Sequence, residues 1–256
     1  MRITFLGTGT SQGIPVIGCT CQVCNSDDPR NQRLRTSVWV ETDQQSILID
    51  IGPDFRQQAL LHGITRIDAI LLTHEHADHT AGMDDIRPIN FAMDRKIPLY
   101  AEGHTIQDLK QRFYYIFGPN EYPGLPQLEL IEITPNQPFT IGEDPILPFR
   151  VIHGRMRIVG FKLNQFVYIT DASHLDSAEI ELIKNCDCLV VNSLRRKTHH
   201  SHFNLDQALE LVNQVKPKRA FLTHLSHQMG SHAETEKTLT DTIRLAYDGL
   251  QIHLTS

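Results

Sequence analysis

Short apolar runs separated by polar turns extend through the chain and predict many strands. Residues 2–6 predict the first strand, and the glycine-rich stretch 7–13 indicates a tight turn and a loop after it. Residues 37–41 and 46–51 predict a hairpin with a polar turn between them. The other predicted strands cover residues 68–72, 128–133, 149–152, 158–163, 166–170, 187–192 and 219–223.

Longer mixed segments predict five helices, at residues 54–62, 103–117, 175–184, 204–214 and 233–247. The stretch 118–148 holds seven prolines and predicts a loop around the strand at 128–133. Because strands open each half and helices tend to follow them, we expect the α/β class, with two mixed sheets face to face and helices outside. With no repeat or linker, residues 1–256 are expected to form one domain.

The composition of the chain limits the classes of molecule that it is expected to bind. The formal net charge is 24 − 30 = −6, which argues against a general affinity for nucleic acid. No apolar stretch approaches the ~18 residues that a membrane helix needs, and the N-terminus does not resemble a signal peptide. We therefore expect a cytoplasmic protein with no membrane partner, and a homodimer stays one option for its oligomeric state.

The stretch from Thr73 to His79 holds three imidazoles and two carboxylates directly after a predicted buried strand. Side chains alternate along extended chain, so His74 and His76 point the same way and can bind one ion. Asp78 and His79 follow a bend and can face a second ion. Imidazole with carboxylate suits zinc, manganese or iron, and paired ions ~3.5–4 Å apart are typical of phosphate-ester hydrolases.

This cluster resembles the H-x-H-x-D-H signature of the metallo-β-lactamase fold superfamily, whose members form an αββα sandwich. The resemblance implies three further ligands, each at the end of a β-type run: His153, Asp171 and His224. It also implies how two ions, zinc or manganese, are held. One ion is bound by His74, His76 and His153, the other by Asp78, His79 and His224, and Asp171 bridges both.

A second cluster, Cys19-x-Cys21-x-x-Cys24, supplies three thiolates near the N-terminus. Three soft ligands favour a tetrahedral zinc, which is structural when a fourth protein ligand closes the site. The residues alone leave Cys186, Cys188 or a spare histidine as that ligand. Cys186 and Cys188 lie in an apolar run, and we interpret them as core residues.

The cysteine cluster resembles that of metallo-β-lactamase-fold phosphodiesterases of the PhnP type. That resemblance implies His227 as the fourth zinc ligand and phosphoribosyl 1,2-cyclic phosphate, a small cyclic phosphodiester, as the kind of substrate. Two other families are rivals. Proteins similar to PqqB share the cysteine cluster without being phosphodiesterases, and nucleases akin to ribonuclease Z share the metal ligands but use a protruding arm to hold tRNA.

The segment 193–202 is basic and rich in histidine. The PhnP resemblance implies that His202 is a catalytic residue that is not a ligand, and an imidazole can give a proton at neutral pH. Asp78 and His202 are thus the expected catalytic residues. Arg195 is the favoured phosphate-binding residue among four candidates that include Arg155, Arg157 and Arg196. Lys197, His199 and His200 are interpreted as solvated.

Overall fold

The apolar runs of the sequence form fourteen strands in the part of the chain that the structure, a computed structural model, describes: residues 1–119 and 122–254. In chain order the strands are β1 (Arg2–Gly7), β2 (Ser37–Glu41), β3 (Ser46–Ile49), β4 (Ala69–Leu71), β5 (Ile97–Ala101), β6 (Leu128–Glu132), β7 (Phe139–Ile141), β8 (Asp144–His153), β9 (Met156–Leu163), β10 (Phe166–Tyr168), β11 (Cys188–Asn192), β12 (Arg219–Thr223), β13 (Ile243–Leu245) and β14 (Gln251–His253).

Helices connect these strands. The α-helices are α1 (Phe55–His62), α2 (Ala77–Thr80), α3 (Arg87–Met93), α4 (Gly103–Arg112), α5 (Tyr114–Phe117), α6 (Ser177–Ile183), α7 (Leu205–Val215) and α8 (His232–Glu236). Short 3₁₀ turns occur at Pro29–Asn31, Met83–Ile86 and His227–Met229. Within the described residues, no helix combines the length and apolarity needed to cross a bilayer.

The strands form two mixed sheets with matching organisation. The first sheet has the order β14-β1-β2-β3-β4-β5-β6 and the second β13-β12-β11-β10-β9-β8-β7. In each sheet, antiparallel hairpin strands lead into parallel strands joined through helices, β3 to β6 in one and β10 to β13 in the other. The predicted hairpin of residues 37–41 and 46–51 is present as β2 and β3.

Three layers of buried apolar side chains confirm the αββα sandwich. The central layer lies between the sheets and includes Phe5 and Phe161, both fully buried. One outer layer packs α1, α3 and α4 against the first sheet through residues such as Phe55 and Leu109. The other packs α6 and α7 against the second sheet, for example through Leu211. Cys186 and Cys188 are fully buried in these layers, which confirms that they are core residues.

Some sequence-based assignments were wrong. The helix predicted at 233–247 ends at Glu236, and the chain then enters β13. Threonines at 238, 240 and 242 favour extended chain, and the main-chain pairing of β13 with β12 fixes it there. The helix predicted at 103–117 is interrupted at Phe113, which has φ −111° and ψ 43°.

The proline-rich stretch 118–148 holds more structure than predicted. It contains β7 and the start of β8 as well as β6. Pro145 is the second residue of β8, a position near a strand end where proline is tolerated. The elements β5, α3 and β14 were not predicted. Each is short, so the alternation of apolar and polar residues within it is too brief to indicate a strand or a helix.

Strand direction determines where the polar residues gather. The strands β3, β4, β10, β11 and β12 all end at the same edge of the sandwich, and a polar segment follows each of them. This is the edge at which α/β proteins build their sites.

Candidate metal centre and active site

Three histidines from two strand ends lie together at this edge. His74 and His76 follow β4, and His153 is the last residue of β8. One ring nitrogen of each lies within 4.8 Å of the other two. Burial lowers the pKa of all three imidazoles. They are therefore neutral near pH 7, which is the form that binds a metal.

A second group lies beside the first. Asp78 and His79 are in the short helix α2, and His224 follows β12. Their ligand atoms also lie within 4.8 Å of one another. The Nε2 atom of His79 is 3.2 Å from Oδ2 of Asp78, and the Nε2 atom of His224 is 3.7 Å from the same oxygen.

Asp171 lies between the two groups, because its carboxylate comes within 4.8 Å of ring nitrogens of His74 and His153 in the first group and of His79 in the second. Its Oδ2 atom is 3.2 Å from Nε2 of His79, and its Oδ1 atom is 3.2 Å from Nε2 of His224. Burial alone would raise the pKa of Asp171, but these two imidazoles hold it well below its usual range. An ionised carboxylate between two sets of nitrogen and oxygen ligands has the chemistry and location of a bridging ligand.

The unpaired atoms of this cluster test whether a metal fits it. Nε2 of His79 and both ring nitrogens of His224 are buried and form no hydrogen bond of acceptable geometry among the described residues, although each Nε2 lies 3.2 Å from an oxygen of Asp171. Burial would lower the pKa of His79, yet the carboxylates around it raise this pKa well above its ordinary value. The Nε2 atoms of His79 and His224 both face the carboxylates of Asp78 and Asp171, so a positive charge between these nitrogens and oxygens would satisfy the cluster. Divalent cations fit this donor set.

Asp50 supports the cluster from behind, and the sequence-based search missed it. This fully buried residue follows β3. Its carboxylate is 2.7 Å from Nδ1 of His79 and accepts a hydrogen bond from the Thr73 backbone N–H. A proton fixed on Nδ1 leaves Nε2 of His79 free for a metal. The feature of the sequence that could have identified Asp50 is its position, a carboxylate directly after the apolar run of residues 47–49.

Two residues of the cluster, and Asp50 behind it, adopt the left-handed backbone conformation. Asp50 has φ 63°, and Asp171 and His224 each have φ 55°. All three come directly after a strand or within three residues of one. Non-glycine residues pay a conformational cost there, and such residues concentrate at functional sites.

The cysteine cluster is a separate site. The Sγ atoms of Cys19, Cys21 and Cys24 lie 3.2, 3.5 and 3.4 Å from Nδ1 of His227. The hydrogen bond from the Cys24 backbone N–H lowers the pKa of Cys21 to about 6, which favours the thiolate. Three sulfurs and one imidazole nitrogen converging in this way match a closed tetrahedral zinc site.

His202 lies at the margin of the two ligand groups and Asp171, which together form the His/Asp cluster: His74, His76, Asp78, His79, His153, Asp171 and His224. Its ring centroid is 4.7 Å from that of His153 and 5.1 Å from that of His224. Its Nδ1 atom faces Ser201 Oγ at 3.0 Å and His199 Nδ1 at 3.2 Å. Its ring can therefore carry a proton between the cluster and the loop around it.

A polar cavity of about 230 Å³ adjoins His202. It lies between the His/Asp cluster and the cysteine site, since His227 also lines it. Its other lining residues are Thr10, Ser11, Gln12, Leu194, Arg195, His199, Ser226 and Gln228. No carboxylate is among these lining residues, so the cavity suits a polar or anionic group.

Arg195 is the one of the four candidate arginines that lines this cavity. Its guanidinium donates to the Lys197 and Thr198 carbonyls and to Oε1 of Gln228. These acceptors are neutral, so its charge is available to an anion.

The same hydrogen bonds fold the loop back and bring His199 to the cavity wall. The interpretation of His199 as solvated was therefore wrong, whereas Lys197 and His200 are exposed as predicted. Burial, together with the neighbouring His202, lowers the pKa of His199 to about 4.

Comparisons with known proteins agree with this geometry. The family model described as the beta-lactamase superfamily domain matches residues 45–225. A crystal structure described as a new diphosphatase from the PhnP family has a TM-score of 0.92 and 41% identity, covering 98% of this chain and 97% of that one. Zn²⁺-bound PqqB from Methylobacterium extorquens has a TM-score of 0.77 but 19% identity, over 99% and 100% of the two chains, and so shows the fold alone.

A second relative of similar sequence identity is named for a different activity, acyl transfer. The octanoyltransferase of Porphyromonas gingivalis is 43% identical over 253 residues, which cover 98% of this chain. Those residues are 51% of the relative, so this chain spans about half its length. The family match, the nearly complete overlap with the diphosphatase structure and the common fold lead to one assignment. The chain belongs to the beta-lactamase superfamily and, within it, to the PhnP family.

Proposed function

We propose that this protein is a metal-dependent hydrolase of small phosphodiesters, with cyclic compounds such as phosphoribosyl 1,2-cyclic phosphate as the preferred class. One observation carries the proposal. Two groups of ligand-type side chains and a shared carboxylate converge at one sheet edge, directly beside His202 and a polar cavity without carboxylates. The first group is His74, His76 and His153, and the second is Asp78, His79 and His224.

Two divalent ions, zinc or manganese, held by these groups and Asp171 would supply a nucleophile at neutral pH and offset charge on the phosphoryl oxygens. The residues of the chain do the rest. His202 gives a proton to the departing oxygen, because its ring lies between the cluster and the cavity. Arg195 binds an anionic part of the substrate in the cavity.

The cavity supports a small substrate rather than RNA. Its volume of about 230 Å³ is below the range usual for drug-sized ligands and suits a group the size of a sugar. The formal net charge of −6 also opposes RNA binding. A ribonuclease Z-like activity is therefore the weaker proposal, and so is a PqqB-like role that does not use His202.

A second candidate is diphosphate hydrolysis. The PhnP-family structure that is 41% identical is described as a diphosphatase, and a phosphoanhydride presents the same charged phosphoryl oxygens to the metal centre. Acyl transfer has less support. An octanoyl chain needs an apolar channel, whereas Leu194 is the one apolar side chain that lines this cavity.

The cysteine site is proposed to bind one structural zinc through Cys19, Cys21, Cys24 and His227. With four protein ligands, it has no position left for substrate. Its place beside the cavity means that it also holds His227 in the cavity wall.

Turnover of a substrate panel tests the proposed function. The purified metal-loaded protein is assayed with cyclic and linear phosphodiesters, a diphosphate, a short RNA and an octanoyl ester. We expect the highest kcat/KM with a small cyclic phosphodiester. Preference for the diphosphate would favour the second candidate, and turnover of the octanoyl ester alone would overturn both.

A further inference from the structure

Asn192 links the end of β11 to the chain that follows β10. It is the last residue of β11 and is fully buried. Its Oδ1 atom accepts a hydrogen bond of 2.7 Å from the Ala172 backbone N–H, and its Nδ2 atom donates one of 2.9 Å to the Ala172 carbonyl. We call this paired contact the Asn192 clamp. It satisfies both backbone groups of Ala172 with one side chain.

The clamp acts next to Asp171. Main-chain pairing between β10 and β11 ends with the bond from the Ile169 N–H to the Val190 carbonyl. Beyond that point the chain adopts φ 55° at Asp171, so regular pairing stops. One residue later, at Ala172, the clamp again joins this chain to β11. It thereby holds the backbone of Asp171 in the left-handed conformation, which costs free energy.

The clamp also reaches His202. The Ala172 carbonyl accepts a second hydrogen bond, of 2.6 Å, from the backbone N–H of Phe203. Because Ala172 follows Asp171 and Phe203 follows His202, one carbonyl links the two backbones. The side chains then meet, with Nε2 of His202 2.8 Å from Oδ1 of Asp171.

We infer that Asn192 is a positioning residue for the metal centre: it sets where the Asp171 carboxylate stands relative to both groups of ligands and to His202. The inference rests on the proposed metal centre. Asn192 acts through the backbone, since both bonds of its carboxamide go to Ala172. Partners that orient a metal ligand from behind generally change metal affinity or activity by ~10–100-fold when removed.

The chain contains a matched control. Asn90, in α3, is also buried and makes the same paired contact with the backbone of Gln127, with both bonds at 2.9 Å. This clamp joins α3 to Gln127, the residue before β6. The Gln127 carbonyl also accepts a hydrogen bond from the first residue of β5, so the clamp lies where β5 and β6 begin, at the edge of the sheet opposite the cluster. Nδ2 of Asn90 also donates to the Arg95 carbonyl at 3.0 Å, so Asn90→Ala removes a buried clamp of the same kind and one further hydrogen bond, without touching the site.

The test compares Asn192→Ala with Asn90→Ala in the metal-loaded protein. Both should lower Tm by about 5 °C, because each leaves backbone groups unpaired. Only Asn192→Ala should weaken Zn²⁺ binding at the cluster, by roughly 10–100-fold in competition with a chelator. With Co²⁺ in the cluster, only this variant should change the visible absorption, which reports ligand geometry. If Asn192→Ala does not fold, Asn192→Ser supplies the same comparison.

The inference would be overturned if both variants lost the same Tm and Asn192→Ala kept the Zn²⁺ affinity and the Co²⁺ spectrum of the parent protein. The clamp would then be a structural contact only. Failure of the proposed function looks different. In that case the parent protein itself would bind no metal at the cluster, or would bind it and hydrolyse no phosphoester, whatever residue 192 is.

Discussion

The Nε2 atom of His202 lies 2.8 Å from Oδ1 of Asp171, the carboxylate between the two ligand groups. His202 also stands within 4.8 Å of ligand atoms of His153 and Asp171, so its position alone is compatible with metal binding. Its place in the cavity wall favours a proton-transfer role instead. The two roles differ in what happens to the metal when the ring is removed.

We expect His202→Ala to keep both cluster metals and to slow turnover by roughly 10²–10⁴-fold, the usual contribution of a general acid. An ester with an activated leaving group, such as nitrophenolate, needs little protonation, so the variant should recover much of its rate on that ester. Metal content and kcat on activated and unactivated esters are the measurements.

His200→Ala is the control for His202→Ala, because His200 is exposed in the same loop and does not line the cavity. It should leave kcat unchanged. Metal loss in His202→Ala would make His202 a ligand. An equal defect on both esters with metals intact would contradict the general-acid role.

Asp50→Asn should weaken metal binding at the cluster by about 10–100-fold. The carboxylate holds the proton of His79 on Nδ1, and a carboxamide in its place can present an N–H to that nitrogen instead. Chelator competition measures the affinity. Asp68→Asn is the comparison, since Asp68 is a buried aspartate at the opposite edge that pairs with Arg66 and Arg95. Equal metal affinity in both variants would refute the role of Asp50.

Cys21→Ser should lower stability more than it lowers the intrinsic rate. Loss of the structural zinc acts through folding, and Tm should fall by about 10 °C or more. Thermal melts, zinc content and kinetics on the folded fraction separate the effects. Cys186→Ser, in the core, should destabilise the protein without releasing zinc. A normal Tm with lost turnover in Cys21→Ser would count against a purely structural site.

Arg195→Gln should raise KM roughly 10-fold for substrates that carry a second phosphate away from the scissile bond, and should change kcat little. The reason is that the charge of Arg195 faces the cavity without a carboxylate partner. Substrates without that phosphate should be unaffected. Arg196→Gln makes the same charge change outside the cavity and should leave KM unchanged. A fall in kcat on every substrate would show instead that the loop had moved.

Much of the fold could be predicted from local signals. The hairpin β2–β3 and strands such as β11 and β12 are continuous apolar runs, and α7 has a capping asparagine at Asn204. The missed elements lack such signals. β13 and β14 have three residues each and depend on pairing with strands distant in sequence. Tertiary contacts, and not local sequence, therefore determine that these segments are strands.

The candidate site divides in the same way. The histidine and cysteine clusters are compact in sequence, so their residue types indicated metal chemistry directly. Asp50 and Asn192 are single polar residues at strand ends, and their roles arise from partners 29 and 20 residues away. His199 was misjudged because the fold of its loop depends on hydrogen bonds of Arg195, which residue types do not reveal.

Metal content measured together with turnover tests the central claim most directly. The protein as purified is analysed for bound metals and assayed on a small cyclic phosphodiester before and after chelation, beside His79→Ala and Cys21→Ser. We expect about three metal ions per chain, two lost reversibly with activity and one zinc retained at the cysteine site. His79→Ala should keep that zinc and lose turnover. Undiminished phosphodiester turnover by protein whose His/Asp cluster holds no metal would contradict the account.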